Sequence, residues 1–264
     1  MNQPSIDPAQ LAEMGRYAEE IATEARQIAL QWFRHPLAID TKADESPVTI
    51  ADREVEQALR RAIGRRYPGH GILGEEFGLD HTDAEFVWSI DPIDGTRSFI
   101  SGNPLWGSLL ALLHRGSPVF GLIDIPATGE RWTGMQGRAA TFGGQPCRTR
   151  DTATLDRAIL YATAPEIFNA EEFRAFEKLT SSVYLRRYGG DCYSYGLLAA
   201  GHIDLVMEAG LQPYDYLALA PVITAAGGVI TDWQGCPLHM GSGGQVLAAA
   251  NPALHAQALE RIVA

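Results

Sequence analysis

The chain has 264 residues, 46% of them hydrophobic, with 27 glycines and a formal charge of −11. That length and composition suit an α/β protein with a large core, as one compact unit or two tightly joined halves. The acidic balance argues against non-specific binding to nucleic acid or to anionic membranes. Neither a secretory signal nor a membrane-spanning run is read, the start being Asn2-Gln3-Pro4-Ser5-Ile6-Asp7.

Helical periodicity runs from about residue 8 to 33, with Leu11, Tyr17, Ile21, Ala25, Ile28 and Trp32 on one broad face. A polar link with Lys42 and Asp44 leads to Pro47-Val48-Thr49-Ile50-Ala51-Asp52. Residues 53–66 read as a second amphipathic helix, stopped by Pro68-Gly69. Strands are expected near Ile72-Leu73 and at 86–90, then antiparallel strands at 105–113, 119–124 and 130–135, separated by turns at 115–118 and 127–129. After Thr149 strand signals at 158–163, 183–188, 205–208, 229–232 and 246–250 alternate with helical ones at 170–180, 193–200, 215–226 and 252–263. Such alternation points to a layered α/β half. The expected division is 1–150 and 151–264, with the boundary near 148–156 and no flexible linker.

Chemistry concentrates in three acidic segments. Asp91-Pro92-Ile93-Asp94-Gly95-Thr96 follows the apolar run Phe86-Val87-Trp88-Ser89-Ile90. Pro92 removes a donor and holds Asp91 extended, and Gly95 permits a turn. A rigid corner with two carboxylates offers oxygen ligands to a hard cation such as Mg²⁺; an ordinary Asp-Pro and Asp-Gly turn is the plain alternative. A helix starting at Thr96 could present N–H groups to phosphate. Upstream, Gly74-Glu75-Glu76-Phe77-Gly78 follows Ile72-Leu73, and by itself reads as an acidic surface turn. Downstream, Asp215 opens an Ala/Leu-rich segment ending at Gly227-Gly228, either as an N-cap or as a ligand at a helix start.

Together these segments resemble the inositol monophosphatase family of Mg²⁺-dependent phosphatases. The likeness runs from about Glu19 to about Asn251. Within it, Arg97-Ser98-Phe99-Ile100-Ser101-Gly102, Pro104-Leu105-Trp106-Gly107, 189–196 (Gly-Gly-Asp-Cys-Tyr-Ser-Tyr-Gly) and 208–215 resemble the histidinol-phosphate phosphatase branch. Inositol phosphate enzymes more often carry a small or hydrophobic run at 190–193 and Trp where Tyr214 stands. That departure weighs against an inositol phosphate substrate.

The resemblance implies a layered α-β-α-β-α sandwich with the metal site between the halves, and a homodimer. It implies that Glu75, Asp91 and the Ile93 carbonyl hold a first Mg²⁺. Asp91 would bridge to a second, completed by Asp94 and Asp215, with a weak third ion near Glu75. Thr96, partnered by Asp52, would handle the attacking water; Thr49 would support Asp52, and the backbone of Gly95 and Thr96 would hold phosphate. The residues alone leave Asp52 equally readable as the N-cap of the second helix. An ammonium on the substrate would suit Asp191 and Glu208, whose plain readings are a turn acid and an exposed strand-end acid. Arg187 is expected either to contact substrate or to pair with Asp191.

Other chemistries lack support. Cys147, Cys192 and Cys236 have no paired spacing, which suits reduced thiols in a cytoplasmic protein, and Cys192 reads as a packed small residue. The seven histidines form no zinc motif. Ser194 lacks the nucleophile elbow, and Gly241-Ser242-Gly243-Gly244 lacks the P-loop lysine. Trp88, Trp106 and Trp132 are expected in the core. A broader inositol- or sugar-phosphate phosphatase is the alternative enzyme, and a regulatory binding protein of the same fold is the alternative class.

Overall fold

The computed structural model describes residues 6–36, 39–41 and 47–263. The link around Lys42 and Asp44 and the first five residues lie outside the described residues. In chain order the elements are α1 (Pro8–Trp32), β1 (Ile39–Thr41), β2 (Pro47–Thr49), α2 (Ile50–Arg66), β3 (Gly71–Gly74), β4 (Gly78–Asp80), β5 (Phe86–Asp94) and α3 (Thr96–Ser101). The strands β6 (Gly107–His114), β7 (Ser117–Ile125), β8 (Glu130–Met135), β9 (Thr141–Phe142) and β10 (Gln145–Pro146) follow. Then come β11 (Ile159–Ala162), α4 (Ala170–Thr180), β12 (Leu185–Tyr188), α5 (Cys192–Ala199) and β13 (Leu205–Glu208). The chain ends with α6 (Pro213–Tyr216), α7 (Leu219–Ala225), β14 (Val229–Thr231), β15 (Val246–Ala249) and α8 (Pro252–Val263).

Side-chain alternation along the strands builds the layers. In β6, Leu110 and Leu112 face one way with Trp88, Ile90, Phe120 and Leu122, and pack under α1 and α2. Leu109, Ala111 and Leu113 face the other way, against Tyr195 and Leu198 of α5 and Val222 and Ile223 of α7. The large sheet has the order β10-β9-β8-β7-β6-β5-β3-β4, antiparallel except for β3 beside β5. Val206, Val246 and Ala248 of a second sheet, ordered β12-β11-β13-β15-β14, close the far side of α5 and α7. Its other face, with Leu160, Met207 and Leu247, packs on Phe176 of α4 and Leu254 of α8. The result is the expected α-β-α-β-α sandwich. Trp88, Trp106 and Trp132 are all fully buried in it, as expected.

Several expectations need correction. The helix expected over 215–226 is two helices, α6 and α7, broken at Leu217-Ala218. Pro221 explains the break, because it has no N–H for the Leu217 carbonyl and its ring would clash there. Asp215 is not the N-cap: Gln212 is, with Pro213 first in the helix and Asp215 at the third helical position. Likewise α2 is capped by Thr49, not Asp52, and begins at Ile50. The strand expected to stop at Ile90 continues through Pro92 to Asp94, with a register shift between Asp91 and Asp94. The short edge strand β4 was not expected from the sequence, because all three of its residues are exposed and give no apolar alternation.

Candidate metal centre and active site

The end of β5 forms the corner that its sequence demands. Asp91 is 2% exposed. Its Oδ1 accepts the Ile93 N–H at 3.0 Å, an Asx turn that fixes the carboxylate. Gly95 follows in the left-handed region, φ 81°, and caps α3 without a side-chain bond. Thr96 Oγ1 donates to the Ile93 carbonyl at 3.1 Å, so that carbonyl already faces the corner. At six residues α3 is too short for a strong dipole, so help to an anion would come from its individual N–H groups.

The remaining acids arrive from other elements. Asp215 is held in the first turn of α6 by the Gln212 N–H, 2.7 Å from Oδ2. One carboxylate oxygen from each of Asp91, Asp94 and Asp215 lies within 4.8 Å of the others. Glu75 sits in the turn between β3 and β4, half-buried rather than on an open surface. Its charge bears on Asp91, Asp94, Asp215 and Asp52.

Burial, reinforced by the charges of Glu75, Asp94 and Asp215, drives Asp91 well above the usual carboxylate range. Asp215 is driven up by burial and then by Asp94. Asp94 is pushed up to about 7 by burial and by Asp191. Mutual repulsion of buried acids is what a cation relieves. The donors are all oxygens, and donor oxygens about 2.0–2.6 Å from an ion span the observed distances. The residues therefore fit a hard divalent cation.

Asp52 is fully buried at the start of α2. Its Oδ2 accepts both the Thr49 N–H at 2.9 Å and the Thr49 hydroxyl at 2.7 Å. Its Oδ1 has no partner among the described residues. The structure forms no Asp52–Thr96 hydrogen bond, since the Thr96 hydroxyl is turned to Ile93.

A second group of acids adjoins the cluster. Asp191 has φ 43°, directly after Gly189 and Gly190 at φ 93° and 115°. Such strain in a non-glycine residue persists only where its surroundings enforce it. Here Ser98 Oγ donates to Asp191 Oδ2 at 2.9 Å, and the next N–H, of Cys192, donates to Asp94 Oδ2 at 2.6 Å. A Cβ on Gly95 would stand 2.6 Å from Asp191 Oδ2, so glycine is required there for the two loops to meet. Burial raises Asp191, while Ser98 and the Arg97 charge oppose the shift. Glu208, at the end of β13, is 3% exposed, not an exposed strand-end acid. The Thr163 N–H donates to its Oε1 at 2.8 Å and the Tyr195 hydroxyl to its Oε2 at 3.5 Å. Burial, then the charges of Asp191 and Asp94, pushes Glu208 up to about 8. Arg187 lies on the exposed stretch of edge strand β12 and forms no ion pair with Asp191, whose Oδ2 accepts from Ser98.

A sequence model described as the inositol monophosphatase family matches residues 10–264. The chain belongs to that family. It is 43% identical over 275 aligned residues to the bifunctional phosphatase IMPL2, chloroplastic, of Arabidopsis thaliana, covering 99% of this chain and 80% of that protein. It is 40% identical to a histidinol-phosphatase of Mycobacterium tuberculosis, covering 86% of this chain and 88% of the relative. Among solved structures, an inositol monophosphatase from Zymomonas mobilis aligns with TM-score 0.89 and 43% identity, covering 96% of this chain and 98% of that one. The family and these relatives are phosphatases, and so is this chain. In this inositol monophosphatase relative, sequence reasoning passed over Ser98, Arg97, Thr163 and Tyr195 as site residues. Each acts on an acid far away in sequence, such as Ser98 on Asp191 across 93 positions, and no local pattern reports that.

Proposed function

We propose that this phosphatase hydrolyses L-histidinol phosphate to L-histidinol and phosphate, with Mg²⁺ at the carboxylate cluster. The observation that carries the substrate is the pair of acids, Asp191 and Glu208, set beside the cluster; among the described residues neither is bonded to a cation, and Arg97 acts on Asp191 through its charge alone. Asp191 raises the proton affinity of both Asp94 and Glu208. An ammonium-bearing alcohol would relieve that repulsion through charge-assisted hydrogen bonds. The histidinol-phosphatase relatives support the same reading.

Glu75, Asp91, Asp94, Asp215 and the Ile93 carbonyl would hold two or three Mg²⁺. When bound, the cations supply neutralisation of the phosphoryl and leaving oxygens. The N–H groups of Gly95 and Thr96 orient the phosphate. Asp52 Oδ1 is a buried, unpartnered acceptor, held by Thr49 and raised in proton affinity by its burial. It takes the proton of the attacking water, and Thr96 Oγ1, whose hydrogen is directed at the Ile93 carbonyl, orients that water as an acceptor. Phosphate monoesters are among the slowest bonds to cleave unaided, so ordered positioning of water and leaving group matters here. No described helix is long and apolar enough to cross a membrane. We further infer a cytoplasmic homodimer on family precedent.

A second reading, hydrolysis of inositol phosphate, is favoured by the Zymomonas mobilis neighbour and by an inositol-1-monophosphatase of Mycolicibacterium smegmatis at 31% identity. The two separate in mutants. D191N and E208Q are expected to lower kcat/KM for histidinol phosphate by about 10–100-fold, the worth of about 1.5–3 kcal/mol for a hydrogen bond to a charged group. Loss on an aryl phosphate lacking the ammonium should be several-fold smaller. Equal losses on both substrates would discard the ammonium site.

A further inference from the structure

Glu56 is a buried acid with no part in the chemistry above. It lies on α2 one turn after Asp52 and one turn before Arg60, so the three share a helix face. Its side chain is fully buried. Oε2 accepts the Glu76 N–H at 2.6 Å, and Oε1 accepts the Phe77 N–H at 3.2 Å and the Arg60 Nε–H at 2.7 Å. The Arg60 guanidinium reaches on to the Gly78 carbonyl. These backbone groups belong to the turn joining β3 and β4, and Glu75 is its first residue. A Cβ on Gly74 would lie 2.0 Å from Glu56 Oε1. Glycine at 74 is what lets the carboxylate come so close to the turn.

We propose that Glu56 and Arg60 are positioning residues for Glu75: a carboxylate–guanidinium clamp that fixes the 75–77 turn and so sets the cation affinity of the site. The proposal rests on the reading of Glu75 as a ligand. Stability alone accounts poorly for a buried ion pair, because apolar groups of similar volume do as well or better. What the pair supplies that apolar groups do not is a fixed set of bonds to the backbone on both sides of Glu76. The same helix delivers Asp52 to the site, so α2 sets the separation between that acid and the Glu75 turn.

The test is calorimetric Mg²⁺ titration of E56Q, R60M and E75Q, with each variant melted in EDTA to check its fold. An amide at 56 offers one accepting oxygen instead of two, so a turn N–H loses its partner. E56Q is expected to bind Mg²⁺ about tenfold or more weakly, the usual effect of an outer-shell partner. R60M should show a smaller loss in the same direction. In both, kcat at saturating Mg²⁺ should stay near wild type while the Mg²⁺ needed for half activity rises; a purely structural role would not give that split. Wild-type affinity in E56Q, with affinity lost in E75Q, would overturn the clamp. Wild-type affinity in E75Q would instead overturn the ligand reading beneath it. If E56Q does not fold, R60M decides, and unchanged Mg²⁺ affinity there overturns the proposal.

Discussion

Asp91→Asn is expected to abolish turnover while leaving the protein folded. The asparagine keeps Oδ1, so the Asx turn to the Ile93 N–H survives and the corner keeps its shape. It loses the negative charge and replaces the second donor oxygen with an N–H₂ group, which no cation accepts. Asp91 is the most enclosed member of the cluster and feels Glu75, Asp94 and Asp215 together. A ligand in that place should be worth more than an outer-shell partner, which typically costs 10–100-fold. A fall in kcat/KM of at least about 10³-fold, or about 4 kcal/mol, is the expected result. Melting in EDTA should be no lower than wild type, because one repelling charge is gone. Wild-type rates in D91N would remove Asp91 from the metal centre.

The second large effect is a stability that falls as pH rises when no cation is present. Asp94 is pushed up to about 7 and Glu208 to about 8, with Asp91 and Asp215 also raised, in each case first by burial. Unfolded carboxylates titrate near 4. Between roughly pH 4 and 8 the folded state therefore holds more protons than the unfolded one, and the unfolding free energy declines with pH. The stability is fully present below the unfolded values and is lost as pH passes through 7 and 8. The total is of order several kcal/mol, less than a sum over sites because the acids share one repulsion. Mg²⁺ binds the ionised form and stabilises by mass action. Melting at pH 5, 6.5 and 8 should show the EDTA curve falling with pH, and the gain from Mg²⁺ growing. A Mg²⁺ gain equal at all three values would contradict the assignment of Asp91, Asp94 and Asp215 to a cation site.

Much of the architecture was legible because it is locally encoded. α4 and α8 occupy the expected residues, and α4 carries its own capping box at Asn169 and Glu172. The antiparallel run of β6, β7 and β8 follows from its apolar stretches and turns. The α6–α7 break was missed because an Ala/Leu-rich stretch carries a strong helical pattern, and Pro221 acts on a carbonyl four residues back. Thr49 and Asp52 share a capping box, so local sequence could not say which of them is the cap and which is free to present an oxygen inward. The site was legible as three acidic segments, and the structure brings Asp91, Asp94 and Asp215 together. Its supports were not, because Glu56 meets the Glu76 N–H across 20 positions and Ser98 meets Asp191 across 93. Those encounters are products of sheet order and layer packing, which a linear pattern does not contain.

The most direct measurement is phosphate release from L-histidinol phosphate beside myo-inositol 1-phosphate, each with Mg²⁺ and with EDTA. The account predicts release that requires Mg²⁺ and strongly prefers histidinol phosphate. Equal or greater release from inositol phosphate would contradict the ammonium site at Asp191 and Glu208, and release undiminished by EDTA would contradict the metal centre itself.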